Sequence, residues 1–405
     1  MAKYNYDKKA LKGYGVGPFL GEVKNREAHI AATPADDIKS IYNANIVAKE
    51  LHPEIQYVKV SKVEEIKDAK VFTLVPDEEK GTKRLAYFRA GQYIAILMNF
   101  DREIVTRPYT IASNPKDALA ENSSYRIMVK KADIGYASKY ILNNWDVGTE
   151  VIISGPLGYY YYQELRDAKK VIAASGGSGI TPFISMAHSV AEGIDDYELT
   201  ILCGNKTWDG IAFREELEEL EKSSNGKVKV VHVLSEDEHD GCEKGFITDK
   251  LIKKYAGNDD YSLFVCGNKA FYKYMKGEVE KLGLTPRRAR FEVGGEYGDP
   301  SQNAAYQGDK NAEYNLKVLA KGKYYDLKCK GDETLLHAVQ VAGIAVTSDC
   351  RSGICGWCHS RLISGSVFIP DDSDGRREAD KKFGWIHPCA TYPMSDIEME
   401  VFPVF

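Results

Sequence analysis

The chain has 405 residues, with 54 Lys and Arg against 59 Asp and Glu, a formal net charge of -5 and 43% apolar residues. That length exceeds what one hydrophobic core serves, so several globular domains are expected. The charge balance offers no basic footprint for nucleic acid, and the lack of any apolar run of about 18 residues argues against integral membrane contact.

Residues 1–53 read as an N-terminal extension. The opening MAKYNYDKKALKGYGVG contains no apolar core of a signal peptide, which makes a cytoplasmic protein with reduced thiols the expectation. Further on, TPADDIKSIYNANIVAKELHP has Thr33 as a cap, Pro34 in the first turn and Asp36 completing a capping box. Ile38, Ile41, Tyr42 and Leu51 fall roughly on one face, predicting a helix that packs against a neighbour and ends before Pro53. Structural cover is the role expected of it.

Residues 54–165 change to short runs of period two: VKVSKVEEI, AKVFTLVP, YIAILMNF, RPYTIAS, SYRIMVKK and TEVIISGPLG. With one helix near IGYASKYILNNW, they predict a small antiparallel β-barrel. Residues 166–295 alternate apolar strands such as VIAAS, ELTILCG, VKVVHVLS and YSLFVCG with amphipathic helices, predicting an α/β domain on a parallel sheet of the dinucleotide-binding kind. Residues 296–312 are polar and rich in Gly, Asn and Asp, the composition of a linker crossed by few contacts. Residues 313–405 begin with a hairpin and the helix DETLLHAVQVAG, predicting an α+β domain.

That last domain carries Cys350, Cys355 and Cys358 in SDCRSGICGWCHS and then Cys389 in HPCATYP. C-x4-C-x2-C with a distant fourth cysteine is the plant-type spacing for one [2Fe-2S] cluster. Zinc sites favour paired C-x2-C units, of which there is one here. Cys203, Cys242, Cys266 and Cys329 are scattered and form no disulfide framework. His359 and His387 lie within two residues of cluster cysteines, but four cysteines leave no vacancy for a Rieske pair; both histidines are expected near the surface.

Two further segments carry chemistry. In TRPYTIAS, the guanidinium of Arg107 suits phosphate oxygens, the ring of Tyr109 can cover a flat heterocycle, the Thr110 hydroxyl can donate to a ring nitrogen, and Pro108 stiffens the run. On spacing alone this is also an ordinary half-buried strand. In SGGSGITP, Gly176, Gly177 and Gly179 follow a strand, and Ile180, Thr181 and Pro182 open a helix, the setting in which backbone amides meet a phosphate. Cys266 and Gly267 end a later strand, where open parallel sheets bind ligands, although a core cysteine would look the same. Cys203 reads as packing.

RPYTIAS, GYASKY, GPLG, GGSGITP and CGNKAF, in this order, resemble the signatures of the ferredoxin-NADP reductase superfamily, and the cysteine segment resembles plant-type ferredoxins. The resemblance spans residues 55–405, in the domain order of the phthalate dioxygenase reductase type. It implies a flavin barrel, a nucleotide domain and a ferredoxin-like (β-grasp) domain. It implies FAD rather than FMN, with Arg107 on the flavin phosphate, Tyr109 on the isoalloxazine, Thr110 near N5, and Gly135, Tyr136, Ala137 and Ser138 at the pyrophosphate. Gly176 to Pro182 would hold the nicotinamide dinucleotide, with Cys266 and Gly267 beside its ring; Thr110 and Cys266 would be the catalytic residues. Some of Tyr159 to Tyr162 would approach the adenine. NADH is expected over NADPH because Gly204 to Thr207 and Asp209 lack an arginine cluster, Lys206 alone being able to serve a 2'-phosphate. The implied activity is an NADH-dependent reductase passing electrons through FAD and a [2Fe-2S] cluster to a redox protein partner, an oxygenase component first. A metalloenzyme such as the hybrid-cluster protein is the alternative acceptor, and a slow redox sensor the alternative class.

Overall fold

The computed structural model describes residues 17–32, 43–100, 103–131, 137–292, 298–344 and 346–402. The chain divides into two compact units, Met1–Val47 and Ala48–Phe405. The first contains a helix that the sequence reading did not anticipate, α1 (Gly17–Ala32), in a run of helix formers. Helix α2 (Asn43–Leu51) ends before Pro53 as expected, and none of its residues is buried, Leu51 of the expected face included. Ile46 and Val47 are exposed as well. Thr33, Pro34, Asp36, Ile38, Ile41 and Tyr42 lie outside the described residues.

The larger unit begins with six strands, β1 (Ile55–Ile66), β2 (Ala69–Pro76), β3 (Tyr93–Phe100), β4 (Glu103–Thr110), β5 (Tyr125–Lys130) and β6 (Glu150–Ser154). They form one antiparallel sheet in the order β4-β3-β6-β1-β2-β5. An antiparallel bridge from Ile111 to Ile127 links the end of β4 to β5 and closes the sheet on itself. Alternating side chains point inward, so Val58, Val60, Phe72, Leu74, Ile94, Ile96 and Ile153 fill the interior. Helix α3 (Ala137–Asn144) buries Ala137 and Ile141, and Trp145 after it meets Phe72 edge-on at 5.5 Å. The expected barrel with one helix is present.

Next come β7 (Lys170–Gly176), α4 (Thr181–Ala191), β8 (Glu198–Asn205), α5 (Arg214–Ser223), β9 (Val228–Leu234) and β10 (Glu243–Lys244). Helix α6 (Asp249–Ala256), β11 (Tyr261–Cys266), α7 (Lys269–Glu280) and β12 (Ala289–Phe291) complete this part. The sheet is parallel throughout, in the order β10-β9-β8-β7-β11-β12. Residues Val171 to Ser175 of β7 are all buried, as a central strand covered on both faces requires. The chain moves outward from β7 to β8 and β9 and then returns to place β11 on the other side of β7. The crevice between the carboxyl ends of β7 and β11 is therefore the topological switch point, where such sheets take ligands.

The last part contains β13 (Glu313–Ala320), β14 (Lys323–Lys330), α8 (Leu335–Val341), β15 (Ser360–Ser364) and β16 (Val367–Phe368). It ends with α9 (Glu378–Lys382), β17 (Trp385–Ile386), β18 (Tyr392–Pro393) and β19 (Ile397–Val401). Its main sheet, β14-β13-β19-β15-β17, is mixed, with β13 and β19 parallel. Residues 298–312 do not behave as the loosely held linker anticipated from composition. Gly298 O accepts from the Tyr392 hydroxyl at 2.9 Å, the Tyr306 hydroxyl donates to Gly331 O at 3.1 Å, and Pro300 is buried. Tyrosine anchors that composition hides tie this segment to the last part.

The barrel and the nucleotide part are joined by a charged cluster. Arg126 on β5 sends Nη1 to Glu216 Oε2 on α5 at 3.0 Å, and His188 Nε2 on α4 lies 2.6 Å from Glu216 Oε1. Burial by itself would raise the Glu216 carboxyl, but hydrogen bonds from His188 and Arg126 bring it from 4.5 down to about 2. A carboxylate whose folded pKa is depressed stabilises the fold above its unfolded value and loses that contribution as pH falls through the folded one. The difference in unfolding midpoint between this protein and Glu216→Gln is therefore expected to be full above pH 4.5 and to close toward pH 2. Paired thermal melts across that window measure it, and a constant difference would remove Glu216 as the source.

Candidate cofactor sites

The loop between α8 and β15 and the turn before β18 bring the four cysteines together. Cys358 Sγ lies 3.3 Å from Cys389 Sγ. Cys350 Sγ accepts from the backbone N–H of Ser352 and of Cys355, both at 3.4 Å, and Cys389 Sγ accepts from Gly353 N–H at 3.3 Å. Hydrogen bonds from the Cys355 and Cys389 thiols hold the Cys350 thiol far below its usual range. Cys350, Cys358 and Cys389 are buried and Cys355 is exposed beside exposed Ile354 and Trp357. Among the described residues, no three His, Cys, Asp or Glu are arranged to hold one metal ion. Two thiolates per iron is what a binuclear cluster asks, and amide donors aimed at the sulfurs favour the thiolate form. The donor set therefore fits a [2Fe-2S] cluster.

Close packing explains the glycines here. Gly353 has φ +80, and a Cβ on it would fall 1.9 Å from Ser373 O. His387 is not near the surface as the sequence reading expected. It is buried, with Nδ1 2.5 Å from Gly353 O, so its ring braces the cysteine loop from inside. His359 is partly exposed and stacks on Trp385 at 4.3 Å.

On β4, Arg107, Pro108, Tyr109 and Thr110 occupy the carboxyl end of the strand at an edge of the barrel sheet. Tyr109 packs partly against the barrel core, and burial pushes its hydroxyl up to about 12, with Arg107 opposing. Tyr93 on β3 faces Thr110 in register, and its backbone exchanges hydrogen bonds with Leu157 of the GPLG turn at 3.0 and 2.8 Å. Ala137 and Ser138 open α3, while Gly135 and Tyr136 lie outside the described residues. Among the four consecutive tyrosines, Tyr160 and Tyr162 are buried in the core and Tyr159 is exposed.

At the switch point, Gly176 ends β7, Gly177, Gly179 and Ile180 lie in the short turn that leads into α4, and Thr181 and Pro182 form the first turn of that helix. A Cβ on Gly179 would sit 2.1 Å from the Cys266 carbonyl oxygen and 2.7 Å from Gly267 Cα. Only glycine lets the loop lie this close to the end of β11. Cys266 Sγ donates to Glu292 Oε2 at 3.3 Å, just past the end of β12. Burial raises the Glu292 carboxyl to about 7, and burial followed by Glu292 holds the Cys266 thiol well above its usual value. Cys203 is buried in the core, as expected for packing. Lys206 is engaged with Glu236 at 2.8 Å.

Glu292 and Tyr93 escaped the sequence reading. The position of Glu292 at the end of the last parallel strand is a usable signal, but it is one of 59 acidic residues. Tyr93 is one of 26 tyrosines and carries no local signature.

The chain matches three described families in this order: the oxidoreductase FAD-binding domain over residues 58–162, the oxidoreductase NAD-binding domain over 174–277, and the 2Fe-2S iron-sulfur cluster binding domain over 319–394. It is an NADH-dependent iron-sulfur flavoprotein reductase with a C-terminal 2Fe-2S domain. Its arrangement follows phthalate dioxygenase reductase, to whose solved structure it is similar with a TM-score of 0.60 and 22% identity, over 86% of this chain and 98% of that one. It is also 26% identical to the glycine betaine monooxygenase reductase subunit of Chromohalobacter salexigens, over 85% of this chain and 94% of the relative. The ferredoxin reductase component of 3-ketosteroid-9-alpha-monooxygenase from Rhodococcus rhodochrous is 26% identical, over 82% of this chain and 93% of that protein. Among the described residues, no helix is long and apolar enough to cross a membrane.

Proposed function

We propose that this protein is the cytoplasmic reductase component of an oxygenase system, taking electrons from NADH and delivering them singly to a terminal oxygenase protein. The observation that carries the reading is the convergence of three sites on Tyr93. Its hydroxyl is held far above the usual value by burial and then by Cys355, Cys350, Asp349 and Glu292. Tyr93 also faces Thr110 across the β3–β4 pair. One side chain thus pairs with the flavin strand and lies within electrostatic reach of the cluster thiols and of the carboxylate bonded to Cys266. The monooxygenase reductases that match nearly end to end supply the choice of partner.

In this reading the domain boundaries are those of the sequence analysis: 54–165 for flavin, 166–295 for nucleotide and 313–405 for the cluster. Arg107 binds the flavin phosphate, Ala137 and Ser138 offer amides to the pyrophosphate, and Tyr109 and Thr110 orient the ring. Gly176 to Pro182 cradle the dinucleotide, and Gly179 lets the nicotinamide end approach Cys266 and Gly267. Cys266 and Glu292 hold a proton between sulfur and carboxylate beside that ring. Cys350, Cys355, Cys358 and Cys389 are the cluster ligands. Bound there, flavin and cluster supply the conversion of a hydride into two single electrons, the chemistry the protein itself cannot perform. Lys206 is paired with Glu236 at 2.8 Å, which favours NADH over NADPH at that position.

The test is anaerobic mixing of the holoprotein with NADH or NADPH. NADH is expected to bleach flavin and cluster absorbance in succession, and the reduced protein to support oxygen consumption by an added terminal oxygenase. Binding of NADH without rapid bleaching would indicate a sensor instead.

A further inference from the structure

The flavin strand and the cluster loop are joined by a buried chain of side chains that the cofactor sites do not require. Thr106 precedes Arg107 on β4, and its Oγ1 bonds to Ser348 O and lies 2.6 Å from Ser348 Oγ. Gln340 Nε2 on α8 donates to Ser348 Oγ at 3.3 Å, and Arg351 Nη1 donates to Gln340 Oε1 at 2.8 Å. Arg351 follows Cys350 directly, and Arg107 Nη1 donates to Thr106 O at 2.9 Å. Thr106, Gln340, Ser348 and Arg351 are all between 1% and 6% exposed, so water cannot replace a lost partner.

The proton arrangement is determined. Arginine can only donate, so Gln340 must present its oxygen to Arg351 and its NH2 to Ser348. The Ser348 hydroxyl, already accepting from Gln340, gives its own proton to Thr106 Oγ1. The Thr106 hydroxyl then gives its proton to Ser348 O. Each link in the chain thus has a donor and an acceptor, and a buried network connected in this way favours one geometry.

We propose that Thr106, Ser348, Gln340 and Arg351 form a latch that docks the cluster domain on the flavin strand and so sets the rate of electron transfer from flavin to cluster. Period-two alternation puts Thr106 on the same face of β4 as Thr110, about 14 Å along the strand at about 3.4 Å per residue. A single strand therefore carries the hydroxyl assigned to the flavin ring and the hydroxyl that holds the cluster loop. The docking geometry stands on the coordinates alone, while its part in electron transfer rests on the reductase reading. These four are positioning residues: none is assigned to a cofactor atom.

The test uses the full-length holoprotein with Thr106→Val, which keeps the shape and removes the hydroxyl, and Thr106→Ser, which restores it. Thr106→Val leaves a buried serine hydroxyl and a carbonyl without their partner, which weakens the docked state. It is therefore expected to raise hydrogen exchange through α8 about tenfold, equivalent to about 1.4 kcal/mol, leaving β7 to β11 unchanged. In anaerobic mixing with NADH, flavin bleaching should keep its rate while cluster bleaching slows about tenfold, with Thr106→Ser recovering both readouts. Unchanged exchange in Thr106→Val would overturn the latch. Faster exchange with undiminished cluster bleaching would overturn its control of transfer. Failure of NADH to bleach the flavin of the unaltered protein would sink the reductase reading instead, and leaves the exchange result to decide the docking.

Discussion

Cys389→Ser is expected to purify with its flavin but without the cluster's visible absorbance or its paramagnetic signal after reduction. Cys389 is buried, 3.3 Å from Cys358 Sγ, and is bonded by Gly353 N–H, so it closes the ligand set from a separate stretch of chain. A serine oxygen at that place is harder and more basic than a thiolate and suits iron poorly. NADH should still bleach the flavin, while transfer to a one-electron acceptor falls to background. Cys329→Ser is the control: Cys329 is equally buried but points its thiol at Lys330 O and Glu333 O, and its loss should leave the cluster in place. A full cluster complement in Cys389→Ser would remove that residue from the ligand set.

The second large effect is on stability. Arg290 on β12 donates from Nη1 to Asp167 Oδ2 at 2.9 Å and to Tyr161 O at 2.6 Å, and from Nη2 to Tyr159 O. Its guanidinium also lies 4.8 Å over the Phe264 ring. The two charged side chains are 5% and 0% exposed, so the pair pins the connection out of the barrel onto the nucleotide sheet from inside the protein. Arg290→Met strands the Asp167 carboxylate among apolar groups, which costs about 3–5 kcal/mol. Asp167→Asn in the same chain should recover much of the loss, because the amide oxygen can still accept from Gln163 N–H, now bonded to Asp167 Oδ2 at 2.8 Å. Denaturant midpoints of the single and double variants measure this, and equal destabilisation in both would show that lost packing, not the stranded charge, is responsible.

The two effects differ in how far they could be foreseen. The cysteines proposed for the cluster are legible because three of the four sit in one nine-residue loop and metal chemistry restricts which residue types can serve. Strand positions in the barrel and the parallel sheet were legible for a related reason: burial on one face or both leaves period two or continuous apolar runs. The ties of segment 298–312 were hidden because composition reports polarity and not which tyrosine hydroxyl finds which carbonyl. His387 was misplaced because its neighbour in space, Gly353, is 34 residues away.

By itself, the sequence determined three domains in order and marked the cysteine spacing, the glycine loop and the TRPYTIAS strand, since each is written in short-range spacing and in the conformations that glycine and proline allow. Only the tertiary structure decided what links them: Glu292 beside Cys266, Tyr93 opposite Thr110, Arg290 on Asp167, and Thr106 on a serine 242 residues later. Such pairings have no local pattern. They depend on which buried polar groups are left needing partners once the domains dock, and a hydroxyl or carboxylate among dozens acquires its role only from that placement.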